Sequence, residues 1–89
     1  MVAHRMIDEK EIFQLLEQDM LLDKAFGLIL DKYQERLYWH IRRMVGSHED
    51  ANDVFQNTMI KAYKGIQKFQ KKSTLLTWLY RIASNESLT

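Results

Sequence analysis

Cysteine and proline are both absent from these 89 residues, and glycine occurs only three times, at Gly27, Gly46 and Gly65. Without cysteine there is neither a disulfide framework nor a thiolate metal site. With no proline and scattered glycines, nothing reads as a linker, a repeat or a low-complexity tract. Alternating strand patterns are missing too, so the expectation is an all-α fold, a compact bundle of about four helices. No apolar run approaches the ~18 residues of a membrane span, and no charged-then-apolar leader precedes a cleavage site. The expected setting is therefore cytoplasmic, and the expected organisation a single domain over residues 1–89, enough for one modest core.

Catalytic patterns are equally scarce. His4, His40 and His48 fall on different predicted elements, and no pair has the i, i+4 spacing of a helical zinc site. There is no glycine-rich phosphate loop and no nucleophile elbow. The many carboxylates read as helix-surface and N-terminal acids. No enzymatic activity, metal or cofactor is expected.

Acidic side chains are rare in one half only. Up to Asp53 the chain holds eleven acidic and seven basic side chains; from Val54 onward it holds six basic ones against Glu86 alone. A surface divided by sign suggests two different partners. The plainer reading is a solvated surface whose signs have segregated.

What is present is helical periodicity. Asp8 with Glu9 and Glu11 marks a first helix start, since carboxylates favour the positive end of the helix dipole. Ile12, Leu15, Leu16 and Met20 form its apolar stripe, with an end between Gln18 and Leu22. A second helix is expected from Asp23 to Val45, with Ala25 or Phe26, Ile29, Tyr33, Leu37, Ile41 and Met44 facing inward. Gly27 within it suggests close packing. Gly46 is placed as its stop, after Arg42 and Arg43 at the negative end of the dipole. Ser47 followed by Asp50 reads as a capping box, starting a third helix near His48 that runs to about Lys68. Its inward face is Ala51, Phe55, Thr58, Ala62, Ile66 and Phe69. Its other stripe holds Asp50, Asp53, Asn57, Ile60 (or Met59) and Lys64, with Gln56 beside it. Dipole complementarity alone would place the acids first and the lysines last, and a docking partner would explain the mixture as well.

The stretch from Phe69 to Asn85 joins a basic turn to a fourth helix. Ser73 or Thr74 can cap that helix, with Leu75, Leu79 and Ile82 inward. Trp78, Arg81 and Asn85 fall at i, i+3 and i+7 on one face, flanked by Thr77 and Tyr80. A tryptophan there can be core or can face a ligand. With Lys71 and Lys72 beside it, the set can attract phosphates, stack on unpaired bases and hydrogen-bond base edges.

Two segments carry a family likeness. DANDVFQNTMIKAYKGIQKF followed by TWLYRIASN resembles the second conserved region of bacterial extracytoplasmic-function (ECF) sigma factors, the promoter-recognition subunits of RNA polymerase. The likeness is nearly continuous from Gly46 to Asn85 and extends weakly upstream through Ala25, Phe26, Asp31 and Tyr33. It implies a sigma region 2 fold whose third helix docks on the clamp helices of the largest polymerase subunit. Here those positions are Asp53, Gln56 and Asn57, with Asp50, Ile60 and Tyr63 nearby. Asn57 stands where the family usually has glutamate, keeping an acceptor and losing a charge.

The likeness further implies that the turn Phe69, Gln70, Lys71, Lys72, Ser73 and Thr74 captures a base flipped out of the promoter minus-ten element. Trp78, Tyr80, Arg81 and Asn85 then face the non-template strand or support the pocket. Lys71 replaces a frequent glycine, so a differently shaped loop is expected. In the family a C-terminal helix-turn-helix, region 4, reads the minus-thirty-five element; this chain is expected to be the core-binding and minus-ten-binding module without it. The alternative is a helical protein-interaction module, such as a partner for an anti-sigma factor, that does not bind DNA by itself. An ordinary helix-turn-helix repressor would instead favour intact duplex.

Overall fold

A computed structural model describes residues 8–18 and 21–88. In chain order it contains α1 (Glu9–Leu16), α2 (Leu22–Arg42), α3 (His48–Gly65), a 3-10 turn (Ile66–Lys68) and α4 (Leu75–Ser87). Among the described residues there is no strand. By packing, the chain divides within α2 into two compact units, residues 1–32 and 33–89.

In the first unit Asp8 caps α1, its carboxylate accepting from the Lys10 N–H at 3.1 Å, with Glu9 and Glu11 in the first turn. α1 ends at Leu16, one turn earlier than its apolar stripe suggests, and buries Ile12 fully while Leu15 and Leu16 stay half-covered. Met20 and His4 lie outside the described residues. The first half of α2 buries both Ala25 and Phe26, then Ile29, four and three residues on. Gly27 departs from expectation: among the described residues, nothing stands within 4 Å of where its Cβ would be. Close packing does not require a glycine there.

In the second unit Tyr33, Leu37 and Ile41 continue the inward stripe of α2. The helix then stops three residues short of the expected Val45. Met44 donates its N–H to the Ile41 carbonyl at 2.8 Å, a tight final turn, and the Arg42 guanidinium donates to the Val45 carbonyl at 3.2 Å. The backbone bonds of this turn, Arg43 N–H to the Trp39 carbonyl and the Met44 and Val45 N–H groups to the Ile41 carbonyl, satisfy terminal helix carbonyls without a left-handed glycine. Gly46 has no positive φ and is not the stop, and Met44, off the helix, is 41% exposed rather than core.

Ser47 caps α3 as its spacing predicts, Oγ accepting from the Asp50 N–H at 3.1 Å. Ala51, Thr58, Ala62 and Ile66 are buried, with Phe55 and Phe69 half-buried beside them. The buried Thr58 hydroxyl is satisfied by donating to the Val54 carbonyl at 2.7 Å. The regular α-helix ends at Gly65 and tightens into the 3-10 turn before Lys68. Thr74, not Ser73, caps α4, accepting from the Thr77 N–H at 3.1 Å. α4 buries Leu75, Leu79 and Ala83, an i, i+4, i+8 row; Ile82 is half-buried on its flank. α4 packs chiefly on α3.

Candidate nucleic-acid and protein interface

Two surfaces of the second unit carry the residues singled out by sequence. The first is the outward side of α3. Asp50, Asp53, Gln56 and Asn57 are all exposed there. Ile60 is 52% exposed and Tyr63 39%, so two large side chains with apolar area share the face with carboxylates and amides. Exposed apolar area rimmed by carboxylates and amides suits a docking face.

The second surface begins where the chain leaves the 3-10 turn at Phe69, in extended conformation (φ −65°, ψ 124°). The Phe69 ring meets the Trp78 indole at a centroid distance of 5.1 Å and a tilt of 42°. The same indole lies on the Gly65 backbone, where an added Cβ would come within 3.3 Å of its Cζ2. Gly65 therefore serves close approach, and Trp78 is half-buried by the end of α3. Lys71 has φ 58°, in the left-handed region that glycine enters freely and other residues enter at a cost of about 1–2 kcal/mol. Lys71 thus holds a backbone conformation that a glycine would adopt without that cost. Lys71, Lys72 and Thr74 are exposed, and Ser73 is half-buried with its hydroxyl donating to the Thr74 carbonyl at 3.1 Å.

Along α4 the exposed line is Thr74, Thr77, Arg81 and Asn85. Helical spacing sets Trp78 on its α3 flank and Tyr80 on the opposite flank. There Tyr80 stacks on His40 of α2, centroids 4.4 Å apart and planes 22° from parallel. His40 Nε2 shares a hydrogen bond of 3.0 Å with the Ser84 hydroxyl. Burial, and then the neighbouring Arg43 cation, hold the His40 imidazole below its ordinary value. No nominated residue of the turn and α4 is thus fully buried, and α4 separates Trp78, beside Phe69, from Tyr80.

Sequence reasoning passed over several residues of these surfaces. His40 and Ser84 meet across 44 positions, and no local pattern announces that pairing. Tyr38 hydrogen-bonds the His48 ring, which also lies 3.2 Å from the Asn52 amide, tying the end of α2 to the start of α3. Trp39, 52% exposed, stands edge-on to Tyr38 at 5.2 Å. Lys61, counted with the basic half, is paired to the largely buried carboxylate of Glu86. Among the described residues no cluster of three or more acids and histidines could hold a metal, and no helix is long and apolar enough to cross a membrane.

The second unit is all-helical among the described residues and carries an acid-and-amide helix face and a basic, aromatic turn. The sigma-70 region 2 family model matches residues 29–89, and the chain belongs to that family. It is 41% identical over 81 residues to the RNA polymerase sigma-H factor of Pseudomonas aeruginosa, covering 90% of this chain and 42% of that protein. It is 38% identical over 80 residues to the ECF RNA polymerase sigma factor SigW of Bacillus subtilis, covering 90% of this chain and 41% of that one. The chain thus spans about two fifths of the length of these relatives. Among solved structures, an engineered region 2 of sigmaE in complex with GTAAAA is similar at a TM-score of 0.75 and 32% identity, covering 98% of this chain and 87% of that one.

Proposed function

We propose that the chain is the promoter-recognition module of a transcription initiation factor, binding core RNA polymerase through α3 and the promoter minus-ten element, as single strand, through the turn and α4. The observation that carries the reading is the separation of two unlike exposed surfaces on one family fold. Asp50, Asp53, Gln56 and Asn57 present carboxylates and amides suited to charge-assisted hydrogen bonds with a basic coiled coil, and Ile60 and Tyr63 supply apolar area beside them. The partner is the pair of clamp helices of the largest subunit.

On the other side, Lys71 and Lys72 neutralise phosphates while the Phe69–Trp78 pair offers an aromatic wall at the mouth of the turn. Taking a base out of the stack costs a few kcal/mol, and stacking of about 1–3 kcal/mol per base offsets it. Binding energy that favours the unpaired strand then suffices for opening without nucleotide hydrolysis. Arg81 and Asn85, exposed on the same line of α4, supply a guanidinium for a phosphate and an amide for a base edge. The similar sigmaE region 2 is in complex with GTAAAA, which supports a short oligonucleotide of that kind as the ligand class.

The test compares labelled single-stranded GTAAAA-containing oligonucleotide with its duplex, alongside binding of the chain to core polymerase. Preference for single strand together with polymerase binding is expected. Preference for duplex, or no polymerase binding, overturns the reading and leaves a helical interaction module, such as an anti-sigma-factor partner, in its place.

A further inference from the structure

The seam between α2 and α4 borders the strand-binding surface and shares Tyr80 and Arg81 with it; its α2 side holds none of the residues assigned a role above. Arg36 and His40 on α2 and Arg43 just past its end follow one another at i, i+4 and i+7, a single row because the Arg43 N–H still donates to the Trp39 carbonyl at 3.1 Å and keeps the helical turn. His40 fixes that row against α4 through its stack on Tyr80 and its hydrogen bond to Ser84. Arg81, the neighbour of Tyr80, brings a third guanidinium from the α4 side. Arg36, Arg43 and Arg81 are all exposed, and no ion pair among the described residues involves them. No acid lies in the row: helix register sets Asp31 and Glu35 on another side of α2, and Glu86 is committed to Lys61 on the α3 flank. Between the arginines lies a half-exposed, ordered and uncharged floor of imidazole, phenol and hydroxyl.

We infer that this seam is a phosphodiester track, on which Arg36 and Arg43 hold DNA backbone flanking the bases gripped by the turn and α4. The inference rests on the strand-binding reading proposed above and deepens it. Arg36 and Arg43 are seven residues apart, about 10 Å along the helical turns, so they engage two different phosphates rather than sharing one. Guanidinium groups suit the task because each presents a planar fork of donors to phosphate oxygens. Arg81 joins the track to the exposed line Thr74, Thr77, Arg81 and Asn85, giving one continuous cationic path over two helices. His40 is a positioning residue: it adds no charge of its own and keeps Tyr80 and Ser84 in register with the α2 row.

The experiment measures affinity of the chain for three labelled probes: the bare hexamer GTAAAA, a single-stranded 12-mer with GTAAAA at its centre, and that 12-mer with its flanks in duplex. Wild-type chain should bind one or both 12-mers more tightly than the hexamer. R36Q/R43Q should lower 12-mer affinity about five- to tenfold at 0.1 M salt and hexamer affinity less than twofold. Its salt slope on the single-stranded 12-mer should fall by about 1.4, or 0.7 for each phosphate that is no longer neutralised. R36K/R43K should keep most of the gain in affinity with length. A charge-matched K24Q/K64Q control, with cations outside the seam, should leave that gain unchanged.

Whichever 12-mer responds to the arginines identifies the flank as single strand or duplex. Hexamer binding without any arginine-dependent gain, or an equal loss in K24Q/K64Q, overturns the track and leaves the strand-binding reading standing. No binding of any probe by the wild-type chain overturns both.

Discussion

The outward face of α3 and the turn-plus-α4 surface sit on the same unit and are assembled by different means. Every residue of the α3 face belongs to one regular helix, so the helical repeat alone aligns Asp50, Asp53, Gln56, Asn57 and Ile60. The other surface is tertiary. Its tryptophan rests on Gly65 and Phe69, its tyrosine on His40, and its loop holds Lys71 at a left-handed φ of 58°. One face is rigid by virtue of backbone hydrogen bonds; the other keeps its shape only while neighbouring elements hold it. A docking face for a preformed helical partner can be built the first way. A pocket that must admit a base demands the second.

If the surfaces act independently, the largest separable effect should come from reversing charge on α3. Asp53→Lys should lower affinity for core polymerase about 100-fold, in line with the 2–5 kcal/mol that truncating one partner of a desolvated charge pair costs. Affinity for the single-stranded hexamer should change less than twofold, since Asp53 lies more than three helical turns from Gly65, on which the Trp78 indole rests. Competition binding against labelled core enzyme, with the hexamer titration in parallel, reads both numbers. Loss of hexamer binding would show the two surfaces to be one.

The converse change is smaller. Lys71→Ala with Lys72→Ala should weaken hexamer binding about tenfold at low salt and reduce the salt slope by about 1.4, as for two phosphates on a single strand. Polymerase affinity should stay within twofold. Asn85→Ala should cost little affinity for the preferred hexamer and reduce its margin over single-base variants by about 1–3 kcal/mol, because a hydrogen bond to a base edge discriminates more than it attracts. Titrations against a panel of substituted hexamers test that difference.

How far each surface could be read from sequence follows from the same contrast. The α3 face was legible because periodicity and the Ser47 cap fix its register, and the cap bond is present at 3.1 Å. The α2 stripe was legible from Ala25 to Ile41 and failed at Met44. Periodicity continued in the sequence after the backbone had tightened, and no residue type forecasts that Arg42 would cap the Val45 carbonyl. Gly46 carried the usual signature of a stop, but the hydrogen bonds of the last turn left nothing for a left-handed residue to satisfy. On the second surface the residue types were legible and their environments were not. Trp78 proved to be partly core and partly surface, and the partners of Tyr80 and Ser84 came from forty or more positions away.

Glycine substitutions probe the join between the two surfaces. Gly65 ends α3 beneath the Trp78 indole, and an added methyl would press its Cζ2 at 3.3 Å. Gly27, inside α2 with open space around it among the described residues, makes the reference. Gly27→Ala should stabilise the chain by about 1 kcal/mol through helix propensity. Gly65→Ala should gain less than that or lose stability, and should shift the Trp78 indole resonance while leaving Asp53 and Gln56 amide signals in place. Equal gains from both alanines would mean that the indole yields freely and that Gly65 does not set the shape of the strand-binding side.

The smallest expected effect concerns proton linkage on the α2–α4 seam. Burial and the nearby Arg43 lower the His40 pKa from its ordinary 6.5, so the folded chain resists protonating a ring that the unfolded chain protonates readily. Between the lowered folded value and 6.5 the unfolded state binds more protons, and stability therefore falls as pH drops below about 6.5. Above that pH both states hold a neutral ring and His40 contributes no slope. Protonation would also leave Nε2 able only to donate to the Ser84 oxygen and set a cation beside Arg43. Thermal midpoints from about pH 7.5 to 5.5 should decline more for the native chain than for His40→Gln, whose amide can still reach Ser84 and does not titrate. Parallel curves for the two chains would assign the acid sensitivity to other groups. A decline in hexamer binding over the same range, seen in the native chain only, would tie the seam to the strand-binding side and leave the α3 face untouched.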